Sequence, residues 1–134
     1  KDLLESLNIT REYPYVLNYL AYSCLERNYK IDLSMEMLKE AYDLRKNDPY
    51  ITDSLGWGYY LINDFENAEK YLKKAVELMP YDPIVNDHYG DILWMLNRKI
   101  QARYFWNNVL NLDETDDEMK IDVKKKIIYG IEKT

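Results

Sequence analysis

Glycine, proline, cysteine and histidine are scarce in this sequence. Its 134 residues include four glycines, four prolines, one cysteine and one histidine. So few turn-forming residues argue against a sandwich or barrel made of many short strands. One cysteine cannot form an internal disulfide or a zinc site, and one histidine cannot supply a metal-binding pair. No run of about 18 apolar residues is present, so we expect no membrane-spanning helix.

Positive charge is also limited, because the formal net charge is −6. Binding to nucleic acid phosphates requires clustered lysine and arginine, so we expect no nucleic-acid partner. The longest basic run, residues 124–126, is interpreted as the solvent-exposed face of a helix. Hydrophobic residues make up 47% of the chain, which is enough to bury a core. The length fits a single domain, since domains commonly span about 100–200 residues.

A repeat dominates what is present. Residues 49–57 are echoed by residues 83–91, and residues 67–71 align with 101–104, in both cases 34 residues later. A period of 34 with two helical patterns per unit is typical of a helix–turn–helix repeat that stacks on copies of itself. The sequence therefore predicts an all-α stack of helix pairs in one domain.

The unit at residues 49–82 shows the pattern most clearly. Leu55 and Tyr59 lie four residues apart on one helical face, and Gly56 allows a neighbouring helix to approach closely. Residues 63–67 form a polar turn that ends one helix and caps the next. The second helix ends before Pro80. Its inward stripe comprises Ala68, Leu72, Ala75 and Val76.

These residues resemble the signature of the tetratricopeptide-repeat (TPR) family. The matching positions are Leu55, Gly56, Tyr59, Ala68, Leu72, Ala75 and Pro80, then Gly90 and Ala102, and earlier Leu20, Ala21, Leu38 and Ala41. The resemblance implies a right-handed superhelical stack of three units with a C-terminal capping helix. Unit one spans residues 14–48, unit two 49–82 and unit three 83–116, and the capping helix spans 117–134.

The two ends are predicted to close the stack. Residues 115–118 form a helix start, with carboxylates near the positive end of the helix dipole. Residues 1–13 carry a leucine stripe, Leu3, Leu4 and Leu7, and are interpreted as an N-terminal helix or the remnant of an earlier repeat. Because the chain begins at Lys1 and not at methionine, we interpret it as a fragment or processed product.

A narrower resemblance concerns the third unit. Residues 86–91, with Trp94, residues 98–99, 102–103 and 106–107, are similar to the last repeat of a subgroup of bacterial TPR proteins. That resemblance implies an exported scaffold of the bacterial cell envelope or periplasm, with the cytoplasm as the alternative. Within this segment, Arg98 and Arg103 are predicted to pair with Asp87 or Asp91 and so fix the helix packing.

In this architecture the first helices of successive units line a concave groove. The candidate peptide-binding residues are Tyr15, Asn18 and Tyr22 in unit one, Tyr50, Asp53, Trp57 and Tyr60 in unit two, and Asp87, Asp91 and Trp94 in unit three. Large aromatic groups beside a few polar ones are typical of peptide recognition. Two alternatives stay open: Trp57 and Trp94 pack between units, or Asp53 and Asp87 cap their helices.

The predicted function is a non-enzymatic protein–protein interaction scaffold with a partner peptide or helix in the groove. No catalytic constellation or cofactor site is apparent: His88 is interpreted as an ordinary polar residue of the rim or groove, and Cys24 as buried packing. The groove carboxylates favour a basic, amide-rich or apolar partner segment over an acidic tail. The alternatives are self-assembly into homo-oligomers through the terminal helices, or a regulatory arm of a larger enzyme.

Overall fold

The computed structural model describes residues 3–132, with side chains from residue 12 onward. Within that range the chain forms seven helices and no strand. They are α1 (Leu3–Glu26), α2 (Ile31–Leu44), α3 (Pro49–Leu61), α4 (Phe65–Leu78), α5 (Pro83–Met95), α6 (Lys99–Asn111) and α7 (Asp117–Tyr129). The all-α prediction is confirmed. The side chains of Leu3, Leu4 and Leu7 lie outside the described residues.

Aspartates start four of these helices. Asp48 accepts hydrogen bonds from the backbone N–H groups of Tyr50 and Ile51 at the start of α3. Asp64, Asp82 and Asp116 do the same at α4, α5 and α7. An N-cap carboxylate satisfies donors that the first helical turn leaves unpaired. The predicted turn at 63–67 and helix start at 115–118 are both confirmed.

Small residues allow the two helices of a unit to cross closely. A Cβ atom on Gly56 would lie 2.7 Å from Leu72 Cγ, and one on Gly90 would lie 2.5 Å from Trp106 Cδ1. Both distances are far below van der Waals contact, so only glycine fits. The 34-residue period therefore records the points where helix pairs touch.

Unit one differs from its repeats at Leu20. The equivalent Leu55 is buried against Leu25, Met35 and Leu38 of the preceding unit, whereas Leu20 is 48% exposed. This position packs on the helix pair that comes before it, and no pair precedes α1 among the described residues. Leu20 matches the sequence register but does not join the core.

The first helix also runs through the start predicted for unit one. Helix α1 is continuous from Leu3 to Glu26 and contains Pro14 in its interior. Proline lacks a backbone N–H, so it usually marks a helix start. The division into residues 1–13 and 14–48 therefore does not coincide with a helix boundary, and the unit boundaries stay predictions.

Candidate functional site

The odd-numbered helices share one side of the stack. Helix α1 contacts α3, and α3 contacts α5, although each belongs to a different unit. Side chains of α5 also reach α7, through Asp87, Asp91 and Lys126. We call this surface of α1, α3, α5 and α7 the inner wall, and the surface of α2, α4 and α6 the outer layer. The inner wall is where the groove residues were predicted.

One buried charge pair joins α3 to α5. His88 Nδ1 lies 2.9 Å from Asp53 Oδ2 and 3.1 Å from Asp53 Oδ1. Burial alone would lower the pKa of His88, but the charge and hydrogen bond of Asp53, with smaller effects of Asp91 and Asp87, outweigh it and raise that pKa above 6.5. The imidazole is therefore held in its charged form more strongly than in water.

Aromatic rings cover this pair. The ring of Trp57 stacks on His88 with centroids 3.9 Å apart and on Tyr60 with centroids 4.4 Å apart. Burial, followed by the charges of Glu26 and Asp53, raises the pKa of Tyr22 to about 12, so this phenol also lies near the carboxylate. The rings exclude water from the Asp53–His88 pair, which strengthens its attraction.

A second charge cluster joins α5 to α7. Lys126 Nζ donates hydrogen bonds to Asp87 Oδ1 and Asp91 Oδ1, each at 2.9 Å. Trp106 Nε1 donates another to Asp91 Oδ1 at 3.1 Å. Burial and the neighbouring Asp87 charge raise the pKa of Asp91 to about 6, although Lys126 opposes this. Burial would lower the pKa of Lys126, but the two carboxylates raise it, so its ammonium stays charged.

A constant spacing relates these two connections. Asp53 and His88 are 35 residues apart, and so are Asp91 and Lys126. Thirty-five is one repeat plus one residue, the offset that brings a position on one odd-numbered helix opposite the next. Had this offset been applied to the sequence, it would have identified His88 and Lys126 as partners of predicted groove residues.

The structure brings five predicted site residues together around these pairs: Tyr22, Asp53, Trp57, Asp87 and Asp91. Tyr60 joins them, because it stacks on Trp57 and the charge of Asp91 contributes to the rise in its pKa. Trp57 thus packs between units, as one alternative held.

The other predicted residues lie elsewhere or at the edge. Tyr15 is exposed, and its hydroxyl donates to Asp48 Oδ2 at 2.9 Å. Asn18 is half-buried, and its Oδ1 has no hydrogen-bond partner. Tyr50 lines a cavity of about 700 Å³ between the 78–82 and 111–114 segments. Trp94 donates to the carbonyl of Ile131 at 3.1 Å, beyond the end of α7.

The predicted arginine pairs are wrong. Arg98 pairs with Glu69 at 3.7 Å, and Arg103 Nε donates to the carbonyl of Ile127 at 2.9 Å. Arg103 also lies over the ring of Trp94, 5.0 Å from its centroid. Both arginines extend from the outer layer, whereas Asp87 and Asp91 face the inner wall, where a lysine of α7 reaches them.

Four further expectations need correction. Asp53 and Asp87 do not cap helices, because Asp48 and Asp82 hold those positions. His88 is not a rim residue but is buried beneath Trp57. Lys126 does not belong to the solvent-exposed face predicted for 124–126, since its side chain is 18% exposed. Cys24 is half-buried and not fully packed.

The inner wall therefore offers rings and amides and no unpaired carboxylate among the aspartates discussed above. Asp53, Asp87 and Asp91 each have a cation within 2.9 Å. Across the described residues no group of three or more His, Cys, Asp or Glu side chains is arranged to hold a metal ion. In the same part of the chain no helix is long and apolar enough to cross a membrane.

Comparison with known proteins supports the repeat assignment, although no family model matches the chain. A 59-residue stretch, 44% of this chain, is 36% identical to the TPR repeat-containing protein PA4667 of Pseudomonas aeruginosa. A 97-residue stretch is 22% identical to the protein bimA of Emericella nidulans. The matched stretches span about a tenth of the length of these relatives, 10% and 12%.

Solved TPR structures share the fold. The first TPR of Spaghetti (RPAP3), bound to the HSP90 peptide SRMEEVD, superposes with a TM-score of 0.72 at 18% identity, covering 85% of this chain and 90% of that one. The type III secretion translocator chaperone SycD of Yersinia enterocolitica, described as an alternative dimer, gives 0.75 at 14% identity and covers 87% and 90%. At such identities the likeness concerns the fold alone.

Proposed function

We propose that this chain, which belongs to the tetratricopeptide-repeat family, is a protein-interaction scaffold that holds a segment of a partner protein against its inner wall. The single observation that supports this most is the strip of rings across α1 and α3, formed by Tyr22, Trp57 and Tyr60. Rigid aromatic area with few polar groups is what peptide recognition uses. The scaffold acts by binding, without catalysis of its own.

The internal charge pairs favour an apolar or amide-rich segment as the partner. Asp53, Asp87 and Asp91 are already bound to His88 and Lys126. A basic partner would have to compete with cations that sit 2.9 Å from these carboxylates. An unpartnered amide oxygen on Asn18 adds a place for a backbone or side-chain N–H donor.

An acidic tail fits this wall poorly. The RPAP3 domain holds a peptide that ends in Glu-Glu-Val-Asp. On the inner wall described above, the two cations, His88 and Lys126, are both engaged by aspartates. A carboxylate-rich tail would meet three aspartates and find no free positive charge, so it would be repelled.

A peptide array tests this proposal. Purified protein should retain apolar and amide-rich peptides, and Tyr22→Ala and Asn18→Ala should each weaken that binding. Tyr104→Ala is the matched control, because Tyr104 is 62% exposed on α6 in the outer layer. An array that favours acidic tails, with binding unchanged in Asp87→Asn, would contradict the proposal.

Self-assembly is the second candidate, favoured by apolar residues exposed at both ends. Val16, Leu20 and Leu33 are 48–50% exposed on α1 and α2, and Ile121 and Ile128 are 59% and 67% exposed on α7. Apolar clusters of this kind mark interaction surfaces when they are contiguous. Light scattering across a concentration series separates the two functions, since only assembly predicts a mass that rises with concentration.

A further inference from the structure

A basic pocket lies on the outer layer, on the opposite side from the inner wall. It has a volume of about 440 Å³ and opens between α2 and α4, over Leu55 of α3. Three lysines and three tyrosines line it: Lys39, Lys46, Lys70, Tyr42, Tyr59 and Tyr71. One carboxylate, Asp43, is also in the lining. In a chain with a net charge of −6, this local excess of lysine is unusual.

The lysine charges of the pocket are not neutralised. Among the described residues, no carboxylate lies within ion-pair distance of Lys39, Lys46 or Lys70. Their nearest specific contacts are rings: Lys39 lies 5.8 Å from the Tyr59 centroid, and Lys70 lies 5.2 Å from the Tyr71 centroid. Three ammonium groups that lack a counter-charge make the pocket a place where an anion is stabilised.

The tyrosines are held in place and add hydroxyl groups. The rings of Tyr59 and Tyr71 are parallel within 9° at 5.7 Å, and Tyr42 meets Tyr71 edge-on at 5.2 Å. A fourth lysine, Lys74, donates to the Tyr42 hydroxyl at 2.7 Å and to the carbonyl of Lys46 at 2.8 Å. Because the Tyr42 oxygen accepts this bond, its own hydrogen is free to be donated to a ligand.

The repeat provides an internal control for this pocket. The positions 34 residues later form the corresponding pocket between α4 and α6, which is lined by Val76, Pro80, Tyr104, Phe105 and Asn108. There Pro80 replaces Lys46, Tyr104 replaces Lys70 and Asn108 replaces Lys74, while Phe105 replaces Tyr71. The fold therefore makes a pocket at both places without needing these lysines. Their presence at the first one calls for a separate cause.

We propose that the basic pocket binds a phosphoryl group. All of its basic residues are lysines, and none is an arginine. Arginine's planar fork suits a carboxylate, whereas lysine acts as a point charge that approaches from any direction. Several lysines and a tyrosine hydroxyl arriving from three helices match the tetrahedral oxygens of a phosphate. This site is separate from the inner wall and does not depend on the function proposed for that surface.

Titration followed by NMR of backbone amides tests the proposal. The probes are inorganic phosphate, a short phosphotyrosine peptide and the same peptide without phosphate. Shifts should be confined to 39–46 and 70–74, and the unphosphorylated peptide should cause none. Tighter binding of the phosphopeptide than of inorganic phosphate would identify a partner's modified side chain as the source of the group. Equal binding would point to a small phosphorylated molecule.

A double variant provides the decisive comparison. Lys39→Gln with Lys70→Gln should reduce phosphate affinity about tenfold, since two exposed charges are removed from the site. Lys73→Gln with Lys124→Gln removes the same charge from other exposed positions and should change affinity less than about twofold. Circular dichroism checks that both variants fold. An equal loss in the two variants, or no shift in the wild-type pocket, would overturn the proposal.

Discussion

The two joints of the inner wall are built alike and differ in one chemical respect. Between α3 and α5 a carboxylate meets an imidazole, Asp53 with His88; between α5 and α7 two carboxylates meet an ammonium, Lys126. An imidazole changes charge near neutral pH, whereas a lysine does not. Adjacent repeats are thus held by buried charges of two kinds, and only one of them responds to physiological pH.

The comparison also shows why the wall is poor in free charge. A charge removed from water is costly unless a partner compensates it. Each aspartate of the wall is compensated by the following odd-numbered helix, one repeat and one residue later. The charges that seemed to be available for a ligand instead couple the units, and the surface left for a partner is mostly aromatic.

The largest expected effect comes from breaking the α5–α7 joint. Lys126→Met leaves Asp87 and Asp91 close together without a cation, and removal of one member of a buried pair costs about 3–5 kcal/mol. Urea denaturation should show this loss in the free energy of unfolding. Lys125→Met, on the exposed face of the same helix, should change it by less than about 0.5 kcal/mol. Similar losses in both would mean that the joint contributes nothing specific.

The next effect separates the joints by pH. The folded pKa of His88 lies above its unfolded value of 6.5, so its contribution to stability is full below pH 6.5 and is lost as pH rises through the folded pKa. The unfolding free energy should therefore fall above pH 6.5, by at most about 1.4 kcal/mol per pH unit. Since His88 is the sole histidine, His88→Gln should remove this slope. Parallel pH profiles for the two proteins would refute the assignment.

The smallest effect concerns Arg103, which supports α7 from the outer layer. Its Nε donates to the carbonyl of Ile127 in the last turn of α7. Arg103→Ala should lose about 1 kcal/mol, the usual value of one hydrogen bond, and hydrogen exchange should speed up in α7. Arg98→Ala removes an exposed pair at 3.7 Å and should cost less than about 0.5 kcal/mol. If Arg103→Ala instead weakened exchange protection at α5 and spared α7, the original pairing with Asp87 or Asp91 would be restored.

Much of the fold could be predicted because the repeat is a record of size. Gly56, Gly90, Ala68 and Ala102 are small where helices cross, and that requirement recurs every 34 residues. The helix starts were predictable too, since an aspartate before a helix has a local cause.

The site was harder to predict because its pairs connect different helices. Spacing within one helix placed Asp87 and Asp91 on one face, but it did not say which cation would face them. Arg98 and Arg103 were closer in sequence than Lys126, yet they point away from the wall. Leu20 teaches the same lesson for packing, because its burial depends on a neighbour and not on its own register.

The pKa of His88, measured by NMR titration of its ring protons, tests the central claim most directly. If buried charges couple the repeats, the histidine should titrate above 6.5 in the wild type and at a lower pH in Asp53→Asn, whose amide carries no charge. A pKa at or below 6.5, unchanged by Asp53→Asn, would contradict the account of the inner wall.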